Sequence, residues 1–227
     1  FIVAYPEGTG QLDNALLSWN AGFCCGYAME NQIDDVGYIT ELLTLLKQRY
    51  NVDNGRIYLI GFSNGGMLTY KLISEHPELF TAAAIISSSP SGGSNEDSII
   101  NIEPPEKPFP MIIFHGERDT IIPYYGGFSG EENSTGIFFP SIPDSVNRWA
   151  YSMGAFVVEE NFKDQEKVIL RKYMNANNEV IIEFYTLKEE GHTFPGRRKG
   201  LRSFLHENQV YLDAKELIWD FFERHSN

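Results

Sequence analysis

Cysteine is scarce in this chain of 227 residues, which has only two, adjacent at Cys24 and Cys25. Two neighbouring cysteines do not make a disulfide framework, and a bond between them would be strained. Two free thiols, or one cysteine paired with another outside this chain, fit the sequence as well. The redox compartment is therefore left open by the cysteine content.

Positive charge is also in short supply, because 18 Lys and Arg face 31 Asp and Glu and give a formal net charge of −13. This excess argues against nucleic acid or an anionic membrane as a partner and favours a neutral or esterified substrate. No apolar stretch approaches the ~20 residues of a membrane span. The segment Phe1–Tyr5 lacks the basic start and longer apolar core of a signal peptide.

The pattern of apolar residues predicts one α/β domain over residues 1–227, with a mostly parallel sheet covered by helices on both faces. The predicted strands are Phe1–Tyr5, Ile57–Ile60, Thr81–Ile86, Met111–Phe114, Lys167–Tyr173 and Val180–Leu187. The last two are predicted to form a hairpin, because the turn Asn175-Ala176-Asn177-Asn178 lies between them. The predicted helices begin at Asp34 or Asp35, at Met67, at Asp144 and at Leu212, and the stretch from Pro6 to about Gln32 is predicted to be irregular. In such sheets the functional residues lie in loops beyond the carboxyl ends of the strands.

A glycine–x–serine–x–glycine turn follows the second predicted strand and begins the second helix, with Ser63 between Gly61 and Gly65. This is the pattern of a nucleophile elbow, in which a sharp turn exposes the serine hydroxyl at the top of a sheet. Side chains two residues either side of the serine would collide, so we expect both glycines to relieve that collision. A glycine-rich connection with an incidental serine is the alternative.

A serine hydroxyl needs a base, and five histidines compete for that role. We expect His76, His206 and His225 to be surface residues, and His115, at the end of a strand, to make a structural hydrogen bond. His192 differs from them because Gly191, Pro195 and Gly196 shape its loop. That loop follows the strand Val180–Leu187, so it can present an imidazole to a neighbouring strand end.

A carboxylate that orients the histidine is expected in the loop after Phe114. Asp119 lies a few residues past that strand end, with Glu117 and Asp144 as rivals and a turn-capping carboxylate as the alternative interpretation. The order Ser63, Asp119, His192 is that of α/β-hydrolases and differs from the orders found in two unrelated protease folds.

The chain resembles the secreted polyhydroxybutyrate-depolymerase-like and feruloyl-esterase-like hydrolases, which include carbohydrate esterase family 1. The motifs that carry this resemblance are Tyr5-Pro6-Glu7-Gly8, Trp19-Asn20-Ala21-Gly22, Cys24-Cys25-Gly26, Asp34-Asp35-Val36-Gly37, Gly61-Phe62-Ser63-Asn64-Gly65-Gly66-Met67, His115-Gly116 with Asp119 and Pro123-Tyr124, and Gly191-His192-Thr193-Phe194-Pro195-Gly196. The resemblance implies an α/β-hydrolase fold, Ser63 as nucleophile, Asp119 as acid and His192 as base. It also implies a secreted or periplasmic location. The expected acyl-enzyme chemistry needs no metal or organic cofactor.

Two departures from the family accompany this resemblance. The family's N-terminal strands are missing from this chain, together with a His-Gly loop that donates one oxyanion N–H, so the amide of Asn64 is the oxyanion donor that can be identified. Phe194 stands where the family often has tryptophan.

Aromatic residues near the expected mouth of the site, Trp19, Tyr124, Tyr125 and Phe194, are candidates to line a substrate pocket, with core packing as the alternative. We expect a serine esterase acting on feruloyl, acetyl or short hydroxyalkanoate esters. A serine peptidase of the same fold and a non-catalytic binding domain are the alternatives.

Overall fold

The computed structural model describes residues 1–12, 15–130, 136–163, 167–196 and 212–226. Over these residues a six-stranded sheet forms the centre of the molecule, and helices pack on both of its faces. No helix in the described ranges is long and apolar enough to cross a membrane.

The elements follow the alternation of strands and helices that the sequence predicts. The described helices are α1 (Gly26–Glu30), α2 (Asp35–Arg49), α3 (Asn64–Glu75), α4 (Ile142–Ser152) and α5 (Ala214–Arg224). The described strands are β1 (Tyr58–Phe62), β2 (Ala82–Ile86), β3 (Ser91–Gly92), β4 (Ile100–Asn101), β5 (Met111–Gly116), β6 (Gly127–Phe128), β7 (Phe138–Phe139), β8 (Phe156–Lys163), β9 (Val168–Met174) and β10 (Val180–Leu187).

The main sheet has the strand order β1-β2-β5-β10-β9-β8. The pairs β1–β2, β2–β5 and β5–β10 are parallel, whereas β9 and β8 extend the sheet through antiparallel pairs. The carboxyl ends of the four parallel strands therefore lie at one edge, where loops that are distant in sequence can meet.

Strand β2 explains why the sheet is covered on both faces. All five of its side chains are fully buried, and they alternate between two hydrophobic clusters. Ala83 and Ile85 face the cluster that includes residues of α2, α3 and α4, whereas Ile86 faces the cluster built on α5. A run of small and β-branched residues is typical of a parallel strand buried on both sides, so the predicted mostly parallel, doubly covered sheet is confirmed.

Helix α2 begins as its sequence predicts, because the side chain of Asp34 accepts a hydrogen bond from the backbone N–H of Gly37 at 2.8 Å. That bond satisfies one of the amides left free in the first turn of a helix. The predicted hairpin around Asn175–Asn178 is also confirmed, since β9 and β10 pair in antiparallel register on either side of it.

Two expectations about the elements are wrong, and one long strand was not predicted. Phe1–Tyr5 is not a strand, because it pairs with no strand in the described part of the chain, and Phe1 and Tyr5 are largely exposed. The stretch from Pro6 to Gln32 is not wholly irregular, since it contains α1. Strand β8 was not predicted, because the polar run Glu159-Glu160-Asn161 lacks the apolar pattern of a strand. The strand forms because it pairs with β9.

Candidate active site

Ser63 occupies the sharp turn between β1 and α3. It is the N-cap residue of α3, with φ 54° and ψ −123°, a conformation that residues other than glycine rarely adopt. Its backbone N–H donates to the carbonyl of Ile86 at 2.9 Å, which ties the turn to the end of β2. Strain of this kind is found at functional sites where the surrounding structure imposes it.

The glycines around Ser63 differ in how much space the structure leaves for a side chain. A side chain at Gly61 would collide with the hydroxyl of Thr69 and the carbonyl of Gly65, as expected. A side chain at Gly65 would meet nothing closer than the indole of Trp19 at 3.8 Å, so the collision expected there is wrong. Gly66 is the second glycine that packing requires, because its Cβ would lie 2.6 Å from the Cβ of Ser88.

Asn64, the first residue of α3, connects the turn to the segment that contains Trp19. Its backbone amide has no acceptor within the helix, since the first four amides of any helix lack one. Its side chain accepts from the backbone N–H of Trp19 at 2.6 Å and donates to the carbonyl of the same residue at 3.0 Å. These two bonds hold the backbone of Trp19 against the start of α3.

Asp119 lies in the turn that follows β5, and its side chain is completely buried. One carboxylate oxygen, Oδ1, accepts from the backbone N–H groups of Ile121 at 2.8 Å and Ile122 at 2.9 Å. The expected turn-capping role is therefore real, but it occupies one oxygen only. The other oxygen, Oδ2, faces His192.

His192 is carried by the loop after β10, and 17% of its side chain is exposed. Two contacts hold this loop: the carbonyl of Glu190 accepts from the N–H of Arg118 at 3.0 Å, and the carbonyl of Thr193 accepts from the hydroxyl of Ser87 at 3.2 Å. The ring of Phe62 lies 5.1 Å from the imidazole, centroid to centroid. The imidazole is thus fixed from three neighbouring strand ends.

The three predicted residues form one hydrogen-bonded chain. Nδ1 of His192 lies 2.8 Å from Oδ2 of Asp119, and Nε2 of His192 lies 2.8 Å from the hydroxyl oxygen of Ser63. Because a carboxylate only accepts, Nδ1 carries the proton and Nε2 is free to accept the serine proton. The arrangement can therefore activate an alcohol as a nucleophile and stabilise the cation that forms on the imidazole.

The rivals for these roles lie elsewhere. Glu117 accepts a hydrogen bond from the hydroxyl of Tyr125, and Asp144 is an exposed residue in the first turn of α4. His76 lies 3.4 Å from Glu78, and both ring nitrogens of His225 lie near backbone carbonyls. His206 lies outside the described residues.

His115 makes the expected structural hydrogen bond, since its Nε2 lies 2.8 Å from the carbonyl oxygen of Ile122. The sequence did not indicate that the same nitrogen also lies 3.4 Å from Oδ2 of Asp119. The spacing of four residues between them was the available signal, although it becomes informative only once the turn after β5 is known.

The aromatic candidates separate into accessible and buried side chains. Trp19 and Phe194 are half-buried, and Tyr125 is 70% exposed. Tyr124 is only 4% exposed and its hydroxyl lies 2.8 Å from that of Thr186, so it is a core residue in this conformation. The expectation that Tyr124 contacts substrate is corrected accordingly.

Cys24 and Cys25 are paired with each other, an arrangement that the sequence left open. The Sγ of Cys24 lies 4.0 Å from the side-chain nitrogen of Asn64, so the pair adjoins the start of α3. Among the described residues, no three His, Cys, Asp or Glu side chains form a group that could hold a metal ion.

The fold and the sequence resemble those of known esterases. Residues 29–134 match the phospholipase/carboxylesterase family of α/β-hydrolases. An acetyl xylan esterase from Aspergillus awamori superposes with a TM-score of 0.52 at 15% sequence identity, covering 83% of this chain and 66% of that one. The described part of the chain therefore has the α/β-hydrolase fold.

Three relatives from fungi carry esterase names. Feruloyl esterase B of Piromyces equi is 28% identical over 194 residues, which are 84% of this chain and 33% of that protein. The bifunctional acetylxylan esterase/xylanase XynS20E of Neocallimastix patriciarum is 27% identical over 124 residues, which are 55% of this chain and 15% of that protein. The probable acetylxylan esterase A of Aspergillus fumigatus is 29% identical over 97 residues, 40% of this chain and 24% of that protein.

The resemblance to feruloyl-esterase-like hydrolases is thus confirmed. The chain spans a third or less of the length of each of these three relatives. None of the three is named a polyhydroxybutyrate depolymerase, so that part of the resemblance stays a prediction.

Proposed function

We propose that this chain is a serine carboxylic ester hydrolase that acts through an acyl-enzyme. The observation that carries the proposal is the unbroken chain from Asp119 through His192 to Ser63, with 2.8 Å at each hydrogen bond. The strained turn at Ser63 and the location of all three residues at one edge of the sheet support the same conclusion.

In the first half of the reaction, the hydroxyl oxygen of Ser63 attacks the ester carbonyl carbon while its proton passes to Nε2 of His192. The electron pair of the carbonyl moves onto its oxygen and forms a tetrahedral oxyanion. The backbone N–H of Asn64 is available to donate to that oxyanion because it is the first amide of α3. Asp119 remains ionised and stabilises the imidazolium.

The tetrahedral intermediate then collapses to the acyl-enzyme: the bond to the alcohol breaks, and His192 gives its proton to the leaving oxygen. Water then attacks the acyl group on Ser63 with His192 again as the base, which releases the carboxylic acid and restores the serine. No step needs a redox change or an added group. His192 alternates between base and acid, and 17% of its side chain is exposed to solvent.

The substrate class follows from the relatives and from the aromatic residues near Ser63. Feruloyl and acetylxylan esterases among the relatives support feruloyl or acetyl esters attached to carbohydrate, and short hydroxyalkanoate esters are the further class to test. Trp19 and Phe194 are half-buried residues next to the turn and in the loop of His192, where an acyl group would lie. Secretion is proposed on the resemblance to secreted hydrolases.

A fluorophosphonate probe tests the proposed nucleophile directly. We expect one label, on Ser63, and no label on the Ser63→Ala variant. Turnover of methyl ferulate, p-nitrophenyl acetate and hydroxybutyrate oligomers by the same preparation then ranks the acyl groups. Absence of labelling in folded protein would contradict the proposal and favour a binding domain, and amide cleavage faster than ester cleavage would favour a peptidase.

Trp19→Ala tests the proposed wall of the acyl pocket. We expect kcat/KM for methyl ferulate to fall about tenfold, because an aromatic contact contributes roughly 1 kcal/mol beyond area burial, while p-nitrophenyl acetate is hydrolysed nearly as before. Tyr124→Phe, which removes one hydroxyl from the core, is the matched control for a non-contacting aromatic. Equal losses on both substrates for Trp19→Ala would exclude a role in acyl selection.

A further inference from the structure

His115 is an unusual residue in the core because its imidazole is entirely excluded from solvent. It is the fifth residue of β5, with an exposed fraction of 0%, among the apolar residues of that strand. Burying a polar ring without using its hydrogen-bonding capacity is unfavourable. The mechanism proposed above does not involve this residue, so its contacts need a separate explanation.

The contacts of His115 define its protonation. Nε2 lies 2.8 Å from the carbonyl oxygen of Ile122, which can only accept, so the proton is on Nε2. Nδ1 is then without a proton, and it has no hydrogen-bond partner among the described residues. Burial lowers the pKa of His115, which keeps the ring neutral, although the neighbouring Asp119 acts in the opposite direction.

The Nε2–H group of His115 fixes the turn that holds Asp119. Ile122, whose carbonyl accepts from His115, is also a residue whose backbone N–H donates to Oδ1 of Asp119. The same Nε2 lies 3.4 Å from Oδ2, the oxygen that faces His192. Both oxygens of the carboxylate are therefore oriented, one through the turn and the other beside the ring.

The neutral state of His115 matters for the charge on Asp119. Two imidazoles lie beside Oδ2, that of His192 at 2.8 Å and that of His115 at 3.4 Å. If both were cations, they would repel each other and share one carboxylate, which would disfavour the protonation of His192. A buried, neutral ring supplies an N–H dipole without that competition.

We propose that His115 is a positioning residue that holds Asp119 in the rotamer required to orient His192. This inference rests on the proposed function, since it concerns the rate of the same hydrolysis. His115 touches neither the substrate nor the serine in this role. It acts through the turn from Asp119 to Ile122.

Three substitutions in the full chain test the role. Gln at 115 can place an amide N–H near the Nε2 position, Asn is too short to do so, and Phe keeps the ring shape without a donor. We expect His115→Phe and His115→Asn to lower kcat on p-nitrophenyl acetate about tenfold, the rate equivalent of one hydrogen bond, with KM nearly unchanged. His115→Gln should recover most of the loss.

A proton spectrum gives a readout that does not depend on turnover. The proton shared by Nδ1 of His192 and Asp119 should give a low-field resonance in the wild type, and Asp119→Asn, which should lack it, is the reference. We expect the resonance to weaken or shift in His115→Phe and His115→Asn and to be restored in His115→Gln. Circular dichroism and thermal unfolding establish that each variant is folded.

The inference is overturned if His115→Phe, folded, keeps the wild-type kcat and resonance, or if His115→Gln is no better than His115→Asn. Should His115→Phe fail to fold, the comparison of Gln with Asn decides the question. Failure of the proposed function has a different signature: the wild type would show the resonance but neither fluorophosphonate labelling nor ester turnover. The response of that resonance to the substitutions would still support or contradict the positioning role.

Discussion

The candidate site is made of two halves that are constructed by different means. The nucleophile half consists of residues 61–66 with Trp19 beside them, and the acid–base half consists of residues 115–122 and 190–196. In the first, backbone sterics determine the geometry, because Gly61 and Gly66 have no space for a side chain and Ser63 has a positive φ. In the second, side-chain hydrogen bonds join two loops that are more than 70 residues apart.

This difference predicts which substitutions change both stability and catalytic rate and which change mainly the rate. A side chain added at Gly61 or Gly66 in the nucleophile half disturbs the packing of α3 on β1 and β2, so it should destabilise the fold as well as lower activity. A change in the acid–base half removes side-chain hydrogen bonds between two loops and introduces no overlap between a helix and the sheet, so it should lower activity with a smaller effect on folding. The two halves can therefore be distinguished by measuring kcat and the free energy of unfolding on the same variants.

The largest effect is expected for His192→Ala, in the acid–base half. Turnover should fall by about 10⁶, because removing the base leaves only binding and the oxyanion contact. Adding Ser63→Ala to this variant should cause little further loss, since the residues act as one unit. Steady-state kinetics on p-nitrophenyl acetate measures both variants. A double variant much slower than either single variant would mean that the two side chains act independently.

Asp119→Asn should give the next largest effect, a loss of about 10⁴ in kcat, because an amide can donate to Nδ1 and thereby favour the wrong tautomer of His192. The turn should persist, since the side-chain oxygen can still accept from Ile121 and Ile122. Glu117→Gln, which changes a neighbouring carboxylate that faces Tyr125, is the control. A comparable loss in Glu117→Gln would indicate that Glu117, and not Asp119, orients His192.

The nucleophile half is tested by a pair of glycine substitutions. Gly61→Ala should destabilise the protein by about 1–3 kcal/mol, because the new methyl group overlaps the carbonyl of Gly65 and the hydroxyl of Thr69. Gly65→Ala meets only an ordinary contact with Trp19, so its free energy of unfolding should be unchanged or slightly raised. Urea denaturation measures both. Equal destabilisation would show that helix geometry rather than overlap controls this turn.

The smallest effect concerns pH and His115. Burial lowers its pKa below the ordinary value of 6.5, so the unfolded chain binds a proton at a higher pH than the folded protein does. This contribution to stability is present above pH 6.5 and is lost as the pH falls, by up to about 1.4 kcal/mol per pH unit. His115→Gln does not titrate, so the stability of the wild type relative to this variant should fall with decreasing pH. A constant difference from pH 7 to pH 5 would contradict this prediction.

The elements that local sequence predicts are those whose physical cause is itself local. The turn at Ser63 and the cap of α2 at Asp34 depend on residues within a few positions, and both were found where expected. The hairpin at Asn175–Asn178 is similar, because its turn residues and flanking apolar runs are contiguous. His192 could be singled out because the glycines and proline of its loop lie beside it.

The elements that the sequence did not predict correctly depend on contacts between distant segments. β8 forms although Glu159 and Glu160 disfavour a strand, because they pair across to Lys172 and Arg171 on β9 at 2.9 and 2.6 Å. Phe1–Tyr5 has the composition of a strand but no strand beside it in the described residues.

The site contained two further features that local reasoning did not predict. The burial of Tyr124 against Thr186 joins positions 62 residues apart, so an aromatic residue near the site proved to belong to the core. The proximity of His115 to Asp119 required the path of a turn that only the folded chain defines.

The two bonds between the carboxamide of Asn64 and the backbone of Trp19 have a consequence for engineering. In the proposed mechanism this one amino acid contributes its main chain to the stabilisation of charge, while its side chain holds the backbone of the neighbouring Trp19. Libraries that aim to change acyl preference by randomising this position would alter both properties at once. Diversity directed to Trp19 and Phe194, with Asn64 held constant, would separate selectivity from catalytic power.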